Sequence, residues 1–102
     1  MRVIKVPRVR EYGQRHAPAR HSLERWLELT KLAEWTSLAY VRRTFRHADQ
    51  VTVKSGRTVV VFNIKGNDFR LVTAIHYNRD KVFVLRFLTH AEYTKDVWKD
   101  EL

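Results

Sequence analysis

The chain has 102 residues, which suffices for one hydrophobic core but not for two, so a single domain over residues 1–102 is expected. A hydrophobic content of 44% excludes a disordered tail, and the lack of cysteine excludes disulfides and thiolate metal sites. The formal net charge of +9 makes a polyanion, and nucleic acid first, the expected partner.

The positive charge is concentrated outside the last eleven residues. Residues 92–102 hold four acidic and two basic residues, a net charge of −2, so residues 1–91 carry +11. Arginine outnumbers lysine, and the guanidinium fork matches phosphate oxygens. The longest strongly apolar run, Val59 to Phe62, is far shorter than a membrane span, and the amino terminus lacks the apolar stretch of a signal peptide. We therefore expect a cytoplasmic protein with no membrane partner.

Helical patterns dominate the first half of the chain. Residues 2–6 alternate as a short strand does, and Pro7 suits the first position of a helix that runs to about His16. Ser22 is expected to cap a second helix that ends near Trp35. The apolar face of this helix comprises Leu23, Trp26, Leu27 and residues 29–33.

A third, shorter helix is predicted after Thr36 or Ser37, either of which can cap it. Its buried side is formed by Leu38, Val41 and Phe45, and its exposed side by Arg42, Arg43 and Arg46. Such an arginine cluster is usually only a solvated helix face. Arg42 and Arg43 are nevertheless candidate RNA-binding residues, because the same face could contact phosphate.

From residue 50 the hydrophobic period changes to two, and β-branched and aromatic residues dominate. Strands are predicted at residues 51–53, 58–64, 69–77 and 82–88. Turn-forming residues separate them, so the strands are expected to form an antiparallel meander, and the fold class is α+β. Thr89 and Glu92 fit a capping box that begins a last helix carrying Tyr93, Val97 and Trp98.

Two arginines lie inside apolar strands, where an ionisable group needs a partner or a purpose. A three-residue loop at 78–80 would place Arg70 opposite Leu88 and Val72 opposite Arg86. Both guanidinium groups would then point to one face of the sheet. A slip of one residue would reverse this assignment.

A two-residue turn at Gly66-Asn67 would place Asn63 across from Arg70, and His90 follows the last strand at the same level. The polar set then comprises Asn63, Lys65, Asn67, Arg70, Arg86, His90, Glu92 and Tyr93. It contains no metal-ligand cluster, and His16 and His21 are poorly spaced for a helical metal pair. We expect neither a metal nor a cofactor.

Such a set suits the metal-free cleavage of RNA. A base removes the ribose 2′ proton, the oxygen attacks the adjacent phosphorus, and an acid protonates the departing 5′ oxygen. Cations offset the charge that develops on the phosphoryl oxygens. Histidine can act as base or acid, and DNA lacks the hydroxyl that this reaction needs.

Each of these residues also has a purely structural interpretation. His90 could be an ordinary surface residue, Glu92 could only complete the capping box, and Tyr93 could belong to the core. The strand arginines could pair with carboxylates such as Asp68. The segment Lys65-Gly66-Asn67 also makes a good turn with no function.

The order of these residues resembles that of the HigB toxins, small mRNA-cleaving toxins of bacterial type II toxin-antitoxin systems that are related in fold to the RelE group. The matching segments are Phe62 to Leu71, Arg86, and Thr89 to Tyr93, with looser matches at residues 33–38 and 45–49. The resemblance covers nearly the whole chain. It implies a RelE-like fold, in which N-terminal helices pack on one face of a twisted, mainly antiparallel sheet.

The resemblance also implies an activity and partners. The activity is that of an mRNA interferase, an endoribonuclease that typically cuts messages during translation on the ribosome. The implied protein partner is a HigA-type antitoxin with a helix-turn-helix region, which neutralises the toxin. The acidic end of the chain, with Trp98, could contribute to that interface, although a solvated helix is the favoured interpretation.

The family motif carries functional roles onto Asn63, Lys65, Asn67, Arg70, Arg86, His90 and Tyr93. We hypothesise that His90 or Tyr93 transfers protons and that Arg70 and Arg86 offset phosphate charge. Lys65 and Asn67 are expected to position the RNA backbone, and Asn63 is a further candidate RNA-binding residue. Family members often carry aspartate directly after the tyrosine, where this chain has Thr94. A threonine can still cap a backbone amide, so a structural role would survive.

Two other functions fit the same charge. A non-catalytic basic RNA-binding module, or a degenerate toxin that acts only as an antitoxin partner, would bind RNA in a salt-sensitive way and leave it intact. A DNA-binding regulator is disfavoured, because no short glycine-containing turn joins two helices as in a helix-turn-helix motif.

Overall fold

Residues from Asp49 onward supply four strands of a five-stranded sheet, and the first half of the chain supplies the fifth strand and three of the five helices. The computed structural model describes residues 1–102. The strands are β1 (Arg2–Ile4), β2 (Asp49–Thr52), β3 (Thr58–Ile64), β4 (Phe69–His76) and β5 (Lys81–Thr89). The helices are α1 (Val6–Arg15), α2 (Arg20–Leu32), α3 (Leu38–Thr44), α4 (His90–Thr94) and α5 (Val97–Glu101).

The sheet has the order β1-β5-β4-β3-β2, and its last four strands form the predicted antiparallel meander. β1 adds to the outer edge of β5 in parallel, with Arg2 opposite Lys81. The α+β class is therefore confirmed, with a mixed sheet that is mainly antiparallel. No helix has the length and apolar character that crossing a membrane requires.

The main hydrophobic core lies between the first two helices and one face of the sheet, which we call the helix face. Alternating strand residues supply one side of this core, including Val60, Phe62, Leu71, Val82 and Val84. The helices supply Val9, Leu23, Trp26 and Leu27. Burying one such apolar side chain completely stabilises the fold by roughly 1.5–3 kcal/mol. These residues therefore hold the two helices against the sheet.

The opposite face of the sheet, which we call the cleft face, carries a second, smaller core. Val53, Val59, Val61 and Val72 pack there with Trp98, which is 3% exposed. The expected solvated helix at the acidic end therefore holds for Val97, Asp100 and Glu101, which are exposed, but not for Trp98. The last predicted helix is also interrupted, because Asp96 adopts a left-handed conformation (φ 60°) and α5 folds back so that Trp98 covers the valines.

Two predicted helix boundaries are wrong for local reasons. The second helix begins at Arg20 rather than after Ser22, because the short 3₁₀ turn Ala17–Ala19 leads directly into it. It ends at Leu32 rather than near Trp35, because Ala33 is extended and Trp35 turns into the core against Phe45 and Phe62. In α1, Pro7 occupies the second rather than the first helical position, and His16 is the C-cap.

The predicted strand register near Arg70 is confirmed, although the loop behind it is longer than expected. Arg70 lies opposite both Asn63 and Leu88, and Val72 lies opposite Arg86. At the far end His76, not Tyr77, pairs with Lys81, because residues 77–79 form a 3₁₀ turn. A register shift between Val72 and Thr73 absorbs the extra residue before the ladder reaches Arg70.

Candidate active site

Arg70 lies at the start of β4 and is held in place by the turn before it. Its Nη1 donates to the carbonyl oxygens of Asn67 (3.0 Å) and Phe69 (3.1 Å), and its Nη2 donates to the side-chain oxygen of Asn67. The turn is tight because Lys65 and Gly66 both adopt positive φ angles, of 52° and 62°. Asn67 therefore orients Arg70 through both its backbone and its side chain.

Arg70 is 9% exposed, yet none of the ion pairs in the structure includes it. Asp68, a carboxylate considered as its partner, pairs instead with Lys65 at 3.6 Å. A charge taken out of water without a counterion costs several kcal/mol, and neutral carbonyls offset only part of that cost. An anion placed against Arg70 would supply the missing countercharge.

A cleft of about 460 Å³ opens beside Arg70 on the cleft face. Its polar lining consists of Arg42, Arg46, His47, Asp49, Asn63, Arg70 and Tyr93. Four of the predicted site residues thus meet here: Arg42, Asn63, Arg70 and Tyr93.

His47 and Asp49 are cleft residues that sequence reasoning missed. His47 lies just before β2, and Asp49 is the first residue of that strand. β2 pairs with β3, which places Asp49 opposite Val61. Arg42 holds this connection, because its Nε donates to the carbonyl oxygen of Ala48 at 2.9 Å and its Nη2 lies 3.8 Å from Asp49. The sequence holds two weak signals for them, the looser family match at residues 45–49 and the basic residues before β2. Neither says which strand β2 pairs with.

Tyr93 lines the cleft together with Asn63. The guanidinium of Arg70 lies 5.4 Å from the centre of its ring, and the ring stacks on Trp98 with centroids 5.3 Å apart. Burial raises the pKa of the Tyr93 hydroxyl above its ordinary value, and the nearby carboxylate of Asp49 adds to the increase. Lys99 and Arg70 oppose it. The hydroxyl therefore remains protonated at neutral pH and can donate a proton or a hydrogen bond.

His90 lies on the other side of Arg70, with its Nδ1 3.5 Å from Nη2 of the arginine. Its backbone amide donates to the carbonyl oxygen of Asp68 at 2.9 Å, which ties α4 to the turn before β4. His90 does not line the cleft. It lines a neighbouring depression together with two other predicted residues, Lys65 and Asn67.

Arg86 and Arg43 are not brought to the cleft. Arg86 shares the cleft face with Arg70, as the register predicts, but its Nη2 lies 3.7 Å from the carboxylate of Glu101 in α5. Its Nη1 donates to the carbonyl oxygen of Leu85 at 2.8 Å. Arg43 lies over the ring of Tyr40, 4.5 Å from its centre, on the outer side of α3.

Thr94 does not cap a backbone amide, as a threonine at this position could; it makes a different contact. Its hydroxyl donates to the carbonyl oxygen of His90 at 2.7 Å, one turn earlier in α4. The amide cap is provided by Thr89 instead: its hydroxyl accepts from the amide of Glu92 at 3.2 Å, and the Glu92 carboxylate accepts from the amide of Thr89 at 2.9 Å. The predicted capping box is confirmed. The hydroxyl of Thr94 has a structural role, and this chain has no carboxylate where family members often carry aspartate.

Comparison with known proteins identifies one family. The model of the HigB_toxin family, described as the RelE-like toxic component of a toxin-antitoxin system, matches residues 19–96. The match includes the whole turn before β4, the cleft residues and α4. No curated protein matches the chain.

Proposed function

The chain belongs to the HigB_toxin family of RelE-like toxins, and on that premise we propose that it is an endoribonuclease that cleaves messenger RNA. The observation that carries the proposal is Arg70, a buried cation without a carboxylate partner at the edge of a polar cleft. A phosphodiester supplies the countercharge that this guanidinium lacks.

The proposed chemistry is attack of a ribose 2′ oxygen on the adjacent phosphorus. The O–P bond to the 2′ oxygen forms as the bond to the 5′ oxygen breaks, and Arg70 stabilises the charge on the phosphoryl oxygens. Tyr93, which keeps its proton at neutral pH, donates to the departing 5′ oxygen. His90 and His47 are the two candidate bases for the 2′ proton, one on each side of Arg70.

The further partners follow from the same proposal. The chain acts on messages during translation in the cytoplasm, where the ribosome orients the RNA, so a sparse set of catalytic groups suffices. The excess of +11 over residues 1–91 favours docking on RNA. A HigA-type antitoxin with a helix-turn-helix region binds the toxin and neutralises its activity in the uninduced cell.

The test is induction of the chain in bacteria, followed by mapping of 5′ ends in cellular transcripts. The wild type is expected to arrest growth and to produce new ends within translated messages, in register with codons. Arg70→Lys keeps the charge but loses the guanidinium fork, and cleavage is expected to fall at least about 100-fold. Arg79→Lys is the matched control, because Arg79 is an exposed arginine in the turn at residues 77–79, at the opposite end of β4 from Arg70, and it should cleave normally.

Absence of new 5′ ends with the wild type would overturn the proposal. RNA that stays intact but binds in a salt-sensitive way would support the non-catalytic RNA-binding module instead. Equal cleavage by Arg70→Lys and the wild type would remove Arg70 from the mechanism while leaving the enzyme activity in place.

A further inference from the structure

Arg70 separates two openings in the surface. One is the cleft, whose wall includes Asn63 and Tyr93. The other is an open depression of about 610 Å³, which we call the Phe69 depression. It is lined by Pro18, Lys65, Asn67, Phe69, His90 and Ala91, among others. The guanidinium of Arg70 contacts residues of both openings, because it bonds Asn67, approaches His90 and lies over Tyr93.

A row of stacked aromatic rings ends at the Phe69 depression. Phe69 stacks on Phe87 with centroids 5.1 Å apart and planes 13° from parallel, and Phe87 stacks on Tyr12 at 5.2 Å and 20°. The ring of His16 is tilted against both phenylalanines, at 5.3 and 5.5 Å. All four rings are half-buried, and Phe69 is the one that lines the depression.

We propose that the Phe69 depression binds the base of the nucleotide next to the phosphate held by Arg70. The inference rests on the proposed function, since it assumes an RNA strand at Arg70. A nucleobase entering the depression extends the existing row of aromatic rings, and stacking of this kind accepts any base. Lys65, at the rim, meets the backbone of the same strand.

The two openings give the strand its path. With the scissile phosphate against Arg70, the nucleotide on one side lies in the cleft and the nucleotide on the other side lies in the Phe69 depression. Adjacent nucleotides are then splayed apart around Arg70, a geometry that brings the 2′ oxygen toward the in-line position for attack. Without a base-binding surface on the His90 side, only one of the two nucleotides would be held.

The test measures binding rather than cleavage. The full-length chain is titrated with adenosine 5′-monophosphate and, separately, with ribose 5-phosphate, while NMR signals of the phenylalanine rings are followed. The monophosphate is expected to shift the Phe69 ring and the Ala91 methyl group and to bind about five- to a hundredfold more tightly than ribose 5-phosphate. Equal affinities with no change at Phe69 would overturn the proposal, and this comparison needs no variant.

Phe69→Leu is expected to reduce the affinity for adenosine 5′-monophosphate to that for ribose 5-phosphate, and to leave the latter unchanged. Phe83→Leu is the matched control, because Phe83 is a half-buried phenylalanine of β5 that contacts His76 at the far end of the sheet. Unchanged base binding in Phe69→Leu would contradict the inference. A wild type that binds the base at Phe69 but cuts no message would refute the proposed enzyme activity and not the base site.

Discussion

Among single residues, Arg70 differs from the other cations that sequence reasoning selected because it combines burial with the lack of a carboxylate. Arg86, which the strand pattern treats as its equivalent, is balanced by Glu101. Lys65 is balanced by Asp68. Of these three cations, Arg70 is therefore the one with a strong electrostatic reason to bind phosphate.

Tyr93 allows the role of one hydroxyl to be tested without disturbing its surroundings. Tyr93→Phe keeps the ring that stacks on Trp98 and lies under Arg70, and removes only the oxygen. If the protonated hydroxyl donates to the leaving oxygen, cleavage should fall by about 100- to 10,000-fold with no change in the thermal midpoint. The rate is measured on a reconstituted translated message.

The matched control for this experiment is Tyr40→Phe, which removes a hydroxyl on the outer side of α3. It should cleave at the wild-type rate. Full activity in Tyr93→Phe would show that the tyrosine is needed only for its ring.

Among the elements, α4 is short and depends on its first turn. A helix of five residues has too few internal hydrogen bonds to be stable in isolation. The hydrogen bonds of the capping box at Thr89 therefore contribute a large share of the stability of α4. Both His90 and Tyr93 are carried by this helix. A defect in the cap therefore moves two candidate catalytic side chains together.

Thr89→Ala should lower the free energy of unfolding by about 1 kcal/mol and reduce cleavage as well. Urea denaturation and the cleavage assay measure the two effects. Thr89→Ser keeps a hydroxyl that can accept from the amide of Glu92, and should restore both. A loss of stability without any loss of cleavage would mean that the position of α4 is set elsewhere.

The segment after α4 is stabilised by a single large side chain. Trp98 is 3% exposed, packs on four valines of the cleft face, and donates from Nε1 to the carbonyl oxygen of Tyr93 at 3.1 Å. Trp98→Ala should cost about 3–5 kcal/mol, because burial of the ring is lost and a cavity is left.

Urea denaturation compares the free energies of unfolding of Trp98→Ala and Val97→Ala. The comparison shows whether the loss comes from the burial of Trp98 or from any truncation in this segment. Val97 is 58% exposed, so its truncation should change stability by less than about 0.5 kcal/mol. Similar losses in the two variants would contradict the assignment of Trp98 to the second core.

For the whole molecule, alkaline pH is expected to be destabilising. Burial raises the pKa values of Tyr12, Tyr77 and Tyr93 above their ordinary value of 10.0. Below pH 10 these hydroxyls are protonated in both the folded and the unfolded chain. Above it the unfolded chain ionises first, so the folded state holds more protons and the free energy of unfolding falls as the pH rises.

Urea midpoints at about pH 8 and about pH 11 measure this loss. Tyr77→Phe provides the internal comparison, because the Tyr77 hydroxyl is buried without a hydrogen-bond partner. The variant should be about 1 kcal/mol more stable than the wild type at neutral pH and should lose less stability between the two pH values. Equal losses in the two proteins would exclude Tyr77 as a contributor.

Most of the fold could be predicted because its signals are local. The change of hydrophobic period near residue 50 predicted where the mainly helical part ends and the sheet begins. Glycine and asparagine at the turn before β4 predicted that Asn63 lies opposite Arg70. The loop at residues 77–80 is one residue longer than predicted, but the register at Arg70 is unchanged because a bulge between Val72 and Thr73 compensates for the extra residue. Errors at helix ends came from capping residues that the chain does not use, such as Ser22.

The sequence by itself determined the strand content, the basic charge and the motif that contains Arg70, since each depends on residue types at short spacing. Only the tertiary structure decided which of the two strand arginines lacks a carboxylate partner, because Glu101 reaches Arg86 through a chain reversal at Asp96. It also decided that His47 and Asp49 line the cleft and that Trp98 is buried. These outcomes depend on contacts between residues far apart in the chain, whose geometry is set by the packing of whole elements and not by local pattern.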